Sequence, residues 1–184
     1  MGVLQRFAIS YLVCALVELV YFYHNNYTYV ETLDTLDTEY LSWSSSKRLL
    51  LRSAFKEIVF YPIQWLVMFL LTLLWLLLTF LLPVDNCPTG YLGPGGLHEN
   101  ASHYNCTGGA AGLIDRYLLG ERHVYDSPTC RDLYQTVVPY DPEGLLGCLT
   151  SCVLTYLGVV TGHIVMHYKK PRPRIVKFLS YSLL

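Results

Sequence analysis

The sequence predicts an all-α integral membrane protein with three full transmembrane helices, the start of a fourth, and a long disulfide-containing luminal loop between the second and third helices. Three observations support this fold class. Of the 184 residues, 53% are hydrophobic and only 15% are charged, whereas soluble domains carry about 25% charged residues. The hydrophobic residues are clustered in long runs. Basic residues and glycosylation sequons fall in alternate segments between those runs.

The apolar runs predict the three spans. Residues 7–23 are apolar apart from Ser10 and Glu18. Residues 63–82 read IQWLVMFLLTLLWLLLTFLL without a formal charge, and about 20 such residues cross the hydrocarbon as a helix. The alternative is a buried core helix, but a chain of this length has too little protein to surround it. Residues 144–168 form the third span, which contains His163.

A fourth apolar run starts at residue 175 and stops after ten residues with the end of the chain, which is too short to span. No signal-peptide n-region with a cleavage site precedes the first run. We therefore predict a truncated fourth span and a chain that is part of a longer protein.

The distribution of charge predicts the orientation. Loop 24–60 and the segment after the third span are rich in Lys and Arg, whereas segment 83–143 contains three Arg and no Lys. The positive-inside rule places the two basic segments in the cytosol and segment 83–143 in a lumen. Sequons at Asn100 and Asn105 agree, because glycosylated asparagines lie on surfaces in a secretory compartment. A third sequon at Asn26 falls on the predicted cytosolic side and is expected to be unused.

The cysteines divide between the spans and segment 83–143. Cys87 and Cys106 bracket a glycine-rich loop that cannot build its own core, so we predict a disulfide between them in an oxidising lumen. Cys130 is then the odd thiol. Metal binding is the alternative, weakened by the lack of CxxC spacing or a paired histidine, and no metal site is predicted. The other three are expected to pack as small apolar residues within the spans: Cys14, Cys148 and Cys152.

Five motifs occur together in one order. They are GVLQR at 2–6, CPTGYLGPGG at 87–96, NCTGGAAGLIDRYLLG at 105–120, His123-x-Tyr125, and DPEGLLG at 141–147. On these motifs the chain resembles the heparan-α-glucosaminide N-acetyltransferase family of polytopic membrane enzymes. The resemblance covers nearly the whole chain and is weakest in loop 24–60.

The resemblance implies a lysosomal membrane protein that moves acetyl from cytosolic acetyl-CoA, its co-substrate, to the terminal glucosamine of heparan sulfate. It also implies that the family's catalytic histidine lies upstream of GVLQR, so the isolated chain is expected to be inactive. The alternative is a non-catalytic membrane protein that acts as a partner or regulator of a full-length relative. The expected partners are the lipid bilayer, acetyl-CoA and the heparan sulfate glucosamine end, with a homo-oligomer as a further expectation and no nucleic acid.

Residues Asp141 and Glu143 are the first candidates for substrate binding. At the start of the third span they would hold a cationic amine and help it lose a proton. Helix capping is the alternative interpretation, with Asp141 as the N-cap, Pro142 as the first helical residue and Glu143 in the positive first turn. The two interpretations are compatible.

Four further residues are candidates. His123 is a weak candidate for catalysis and, with Tyr125, for substrate binding, because its ordinary pKa of about 6.5 suits an acidic lumen; a loop histidine is the alternative. Glu18 and Arg6 are candidates for the cavity that holds acetyl-CoA, because a carboxylate within a span by default marks a partner or a cavity. The alternative for Glu18 is a side chain that reaches the cytosolic interface. Arg116 is expected to pair with Asp115 or Asp141.

Overall fold

The computed structural model describes residues 2–24, 61–125, 127–168 and 171–182, so expectations for most of loop 24–60 and for Asn26 lie outside the described residues. In chain order the helices are α1 (Val3–His24), α2 (Pro62–Leu81), α3 (Gly109–Leu119), α4 (Thr129–Tyr134), α5 (Leu145–His167) and α6 (Pro171–Ser182). Short 3₁₀ turns lie at His98–Ala101 and Glu121–His123. No strand occurs within these ranges.

Three of the helices, α1, α2 and α5, are long and apolar enough to cross a membrane. Their mean hydropathy is 1.8, 2.2 and 1.7 respectively over the most apolar window. The predicted fold class is confirmed, and the second and third spans lie within a residue or so of the predicted ranges. Helix α1 starts four residues before the predicted span, so Arg6 lies inside it. Where the start of a truncated span was expected, α6 is a 12-residue helix with Pro171 as its first residue, a position that suits proline.

The described chain divides into two compact units. The first unit comprises Met1–Leu12 and Phe69–Val153, and it contains all of segment 83–143. The predicted disulfide is confirmed, since Cys87 and Cys106 are bonded with a Cα–Cα distance of 5.6 Å, while Cys130 is a free thiol. This covalent closure constrains the loop between the two cysteines.

Close backbone approach explains one of the glycines in this unit. Gly109, the first residue of α3, has a φ of +50°, and a Cβ there would overlap the Tyr91 carbonyl oxygen. A side chain would therefore separate the start of α3 from the glycine-rich loop.

The second unit comprises Val13–Met68 and Leu154–Leu184. Trp65 of α2 packs edge-on against Tyr156 of α5, with ring centroids 5.4 Å apart, and is stacked with Tyr181 of α6 at 6.4 Å. Arg174 of α6 donates to the carbonyls of Val165, at 2.8 Å, and Tyr168. These bonds satisfy carbonyls that the last turn of α5 leaves without helical partners. They attach α6 to the end of α5.

Gly158 and Gly162 of α5 form a GxxxG pattern, which lets membrane helices pack closely, but it does not serve packing among the described residues. Gly158 and Gly162 are exposed, and nothing lies within 4 Å of a Cβ built at either position. The close helix approach expected at this spacing is therefore not made within the part of the chain that the structure describes. The expected homo-oligomer stays a prediction.

Candidate functional site

The start of α5 is held by a residue that lies 30 positions earlier in the chain. The backbone N–H of Leu145 donates to Asp115 Oδ1 at 2.8 Å, and Asp115 is only 1% exposed. A Cβ at Gly144 would overlap the Asp115 carboxylate, so a glycine is required for the two to approach. The carboxylate of α3 therefore caps α5, where the helix dipole and free N–H groups favour negative charge.

Asp141 is not the N-cap of α5, so that prediction was wrong. Its Oδ1 accepts from the N–H of Glu143 at 2.9 Å, and its carbonyl accepts from the N–H of Gly144 at 3.2 Å. These bonds close a turn at residues 141–144 that precedes the helix. The local sequence pattern resembles a cap, but Asp115 occupies the capping position on α5 and Asp141 stabilises the turn.

Electrostatics couple the two aspartates. Burial raises the pKa of Asp115, the Leu145 N–H opposes this rise, and the negative charge of Asp141 reinforces it. Asp141 is itself only 2% exposed, whereas Glu143 is half-buried. Burial is also the main reason why the pKa of Tyr140 is raised, and the charges of Asp115, Cys130 and Asp141 raise it further. We call Asp115, Asp141 and Glu143 the carboxylate cluster; Asp115 and Asp141 interact electrostatically, and Glu143 lies in the turn that Asp141 closes before α5.

Arg116 supports the cluster through the backbone. Its Nη1 donates to the Pro139 carbonyl at 3.0 Å, which ties α3 to the segment that leads into α5. Burial lowers the pKa of Arg116, and the negative charges of Glu121 and Asp115 oppose this change by favouring the charged guanidinium. The expected pairing with Asp115 is therefore electrostatic.

Arg6 links α1 to α5 within the first unit. Its Nε donates to Ser151 Oγ at 2.7 Å and its Nη2 to the Gly147 carbonyl at 3.2 Å. A Cβ at Gly147 would lie 3.6 Å from the guanidinium carbon, which is an ordinary van der Waals contact, so the Arg6 contact does not itself require glycine there. The contacts indicate a role in holding α1 against α5, and the predicted role in acetyl-CoA binding stays untested.

Two candidate residues lie at exposed positions after α3. His123 Nδ1 donates to the Leu119 carbonyl at 2.8 Å, at the end of the helix. Tyr125 is 56% exposed. The structure gives His123 a helix-capping contact, and the substrate-binding roles of both residues stay predictions.

A second polar site lies in the second unit. Glu18 Oε1 of α1 accepts from Gln64 Nε2 of α2 at 3.0 Å, and Gln64 Oε1 accepts from the Tyr156 hydroxyl of α5 at 3.0 Å. His163 Nε2 of α5 lies 3.8 Å from Glu18 Oε2. The Tyr61 ring stacks on the His163 imidazole, with centroids 4.9 Å apart. We call these five residues the intramembrane cluster; it is made within spans expected to lie in hydrocarbon.

Sequence reasoning identified Glu18 but missed the side chains around it. The structure brings together Gln64, Tyr156 and His163, which are 46, 138 and 145 positions away from Glu18 in the chain. A polar residue in each apolar run was the available signal, because such residues usually face a partner. Their pairing could not be read from one sequence.

Glycosylation and metal binding have simple structural correlates. Asn100 and Asn105 are both exposed, as sugar attachment requires, and the attachment itself stays a prediction. Among the described residues, no group of three or more His, Cys, Asp and Glu side chains is arranged to hold a metal ion.

The chain has three membrane-length helices and a disulfide-closed segment between two of them. It also has buried carboxyl groups near the start of α5 and a half-buried one, Glu18, within a span. These features define a polytopic membrane protein with polar sites. No family model matches the chain. The chain is 42% identical over 181 residues to heparan-alpha-glucosaminide N-acetyltransferase of Homo sapiens and 43% identical over 168 residues to that of Mus musculus.

These matches cover 98% and 91% of this chain. They confirm the resemblance: by sequence the chain is a homologue of the heparan-alpha-glucosaminide N-acetyltransferases. The chain spans about a quarter of the length of the curated relatives it matches, 25% and 23%.

Proposed function

We propose that this chain forms part of a transmembrane acetyltransferase that moves acetyl from cytosolic acetyl-CoA to the terminal glucosamine of heparan sulfate in the lysosome. The observation that carries the proposal is 42% identity along 98% of the chain to a protein named as that acetyltransferase. Because the chain spans a quarter of that relative, the activity belongs to a larger protein. Both relatives are named as enzymes, which does not favour the non-catalytic alternative.

The carboxylate cluster supplies chemistry that this reaction needs. A glucosamine amine is cationic in an acidic compartment, and its nitrogen attacks a carbonyl carbon only after it loses a proton. Asp141 and Glu143 provide negative charge that holds the ammonium. Asp115, whose pKa is raised by burial, is the carboxyl group of the cluster best suited to keep that proton. The new N–C bond forms as the thioester C–S bond breaks and CoA leaves as its thiol.

Orientation follows from the same proposal. Segment 83–143 faces the lumen, where heparan sulfate and the oxidising conditions for the Cys87–Cys106 bond are found. The exposed Asn100 and Asn105 carry sugars on that side. His123 and Tyr125 lie exposed on the same segment and are proposed to line the approach of the sugar chain.

The co-substrate contacts lie elsewhere. Arg6 donates to Ser151 and Gly147. Glu18 carries the same sign of charge as the CoA phosphates, which it would repel. The proposal therefore assigns acetyl-CoA binding to neither residue, and the reacting thioester must reach the carboxylate cluster through other groups.

A chimaera tests the proposal. In the human relative, the matched quarter is replaced by this chain, and acetyl-CoA-dependent acetylation of a glucosaminide is measured in membranes at acidic pH. We expect activity within about tenfold of the parent enzyme. Asp141→Asn in the chimaera should lower it by at least about 100-fold, as expected for an acid–base or ion-pairing group. The isolated 184-residue chain should show none.

A matched control is Asp132→Asn, because Asp132 is an exposed aspartate on α4. Activity should stay close to that of the chimaera. A folded, correctly delivered chimaera without activity would contradict the proposed function, and full activity of Asp141→Asn would contradict the role of the cluster.

A further inference from the structure

The intramembrane cluster poses a chemical problem. Glu18 lies six residues before the end of α1 at His24, which at about 1.5 Å per residue is about 9 Å inside the helix end. Its side chain is 31% exposed within a span. A carboxylate there is costly unless a partner balances its charge.

Hydrogen bonds fix the carboxylate in place. The Tyr156 hydroxyl donates to Gln64 Oε1, so the amide Nε2 of Gln64 is directed at Glu18, to which it donates at 3.0 Å. One oxygen of Glu18 is satisfied by this neutral donor. The other oxygen is 3.8 Å from His163 Nε2, whose side chain is 13% exposed. A carboxylate and an imidazole at this distance form a pair that gains or loses a proton near neutral pH.

Within the part of the second unit that the structure describes, His163 is the basic side chain given at ion-pair distance from Glu18. Glu18 is the one acidic residue among the described residues of the second unit. Among the described residues, the other buried or half-buried titratable and charged groups of this unit are the tyrosines Tyr21, Tyr61, Tyr156, Tyr168 and Tyr181, the thiol of Cys14, Arg174, which donates to the Val165 and Tyr168 carbonyls, and Lys177, whose amine lies over the Tyr168 ring at 5.4 Å. The cation over Tyr168 has an aromatic partner of its own, whereas the imidazole faces the carboxylate directly.

We propose that Glu18 and His163 form a proton-binding site within the membrane-spanning helices, with Gln64 and Tyr156 as its positioning residues. With one proton, the pair is either imidazolium and carboxylate or imidazole and carboxylic acid. Both forms are neutral overall, so neither placement of the single proton puts a net charge in a medium of low dielectric. Loss of the proton leaves one negative charge, which the surroundings disfavour. This site is independent of the acetyl transfer proposed above.

A carbodiimide measures the protonated form directly. Dicyclohexylcarbodiimide is apolar and reacts with the acid form of a carboxyl group. The purified chain in phosphatidylcholine nanodiscs is treated from about pH 5 to about pH 8, the range in which histidine titrates, and modified peptides are quantified by mass spectrometry. Labelling of Glu18 should fall at least about fivefold across this range as the shared proton is lost. Exposed Glu121 is the water-facing reference within the same chain.

The His163→Gln variant tests the coupling. Without the imidazolium, the charged carboxylate loses its partner, so the acid form and its labelling at about pH 8 should rise at least about threefold. Thr161→Val is the control, because Thr161 is an exposed residue on the same helix whose hydroxyl donates to the Leu157 carbonyl; it keeps the pair and should change labelling by less than about twofold. Labelling of Glu18 that is independent of pH overturns the proposal without any variant, and so does equal labelling of folded wild-type and His163→Gln proteins.

Discussion

Asp115 is a buried acidic group and Glu18 a half-buried one, and they are stabilised in different ways. Asp115 accepts a backbone N–H at the start of α5 and abuts Gly144, so its place is determined by main-chain atoms. Glu18 is held by the side chains of Gln64 and His163, which belong to two other helices. The first arrangement couples the carboxylate to the integrity of a helix start, whereas the second couples it to protonation.

The difference predicts which changes affect structure and which affect chemistry. Substitutions in the first unit should lower the free energy of unfolding, because they remove a cap or a covalent closure. Substitutions in the intramembrane cluster should alter proton occupancy first. Four predictions test this division.

The largest effect is expected from the disulfide. Cys106→Ser opens the closure between two residues 19 apart, and loss of such a closure lowers the free energy of unfolding by about 3 kcal/mol. Thermal unfolding in detergent and proteolysis of segment 83–143 should both report the loss, whereas carbodiimide labelling of Glu18 should be unchanged. Cys130→Ser, at the free thiol, is the control. Equal disturbance of Glu18 labelling would mean that the two sites are not separable.

The second effect concerns the cap itself. Asp115→Ala leaves the Leu145 N–H without its acceptor, which should cost about 2 kcal/mol in the free energy of unfolding. Asp115→Asn retains a side-chain oxygen and should cost about half as much. Thermal unfolding of the two variants under one condition gives the comparison. If Asn is as destabilising as Ala, charge rather than the hydrogen-bond acceptor stabilises the start of α5.

The cap also shows what one sequence predicts and what it does not. The three spans and the Cys87–Cys106 bond follow from local composition. An apolar run of about 20 residues predicts a membrane span, and two cysteines around a glycine-rich loop predict a disulfide. Asp141 fits the local pattern of an N-cap, yet the capping bond comes from Asp115, 30 residues earlier. The contact between Glu18 and His163 could not be predicted for the same reason, since contacts between residues far apart in the chain depend on how the helices pack.

The third effect is a pH dependence. Burial raises the pKa of Asp115 above its ordinary value of 3.8, so the folded state binds this proton more tightly than the unfolded chain. The resulting stabilisation is complete below about pH 4 and is lost as pH rises through the raised pKa. Since asparagine does not titrate, the Tm difference between wild type and Asp115→Asn should shrink as pH increases from about 4 to about 7. A Tm difference that stays constant over this pH range would mean that ionisation of Asp115 does not affect the free energy of unfolding.

The smallest effect is expected at His123, which is exposed and donates from Nδ1 to the Leu119 carbonyl. An exposed hydrogen bond of this kind contributes about 0.5 kcal/mol, so His123→Ala should hardly change thermal unfolding. In the acetyltransferase chimaera it should lower activity by no more than about threefold, because the contact that the structure gives this imidazole is a helix-capping bond to a backbone carbonyl. A loss of roughly 100-fold or more is the size expected for a general acid or base. Such a loss, with unfolding unchanged, would make His123 a catalytic residue and move the chemistry from the buried carboxylates to the exposed end of α3.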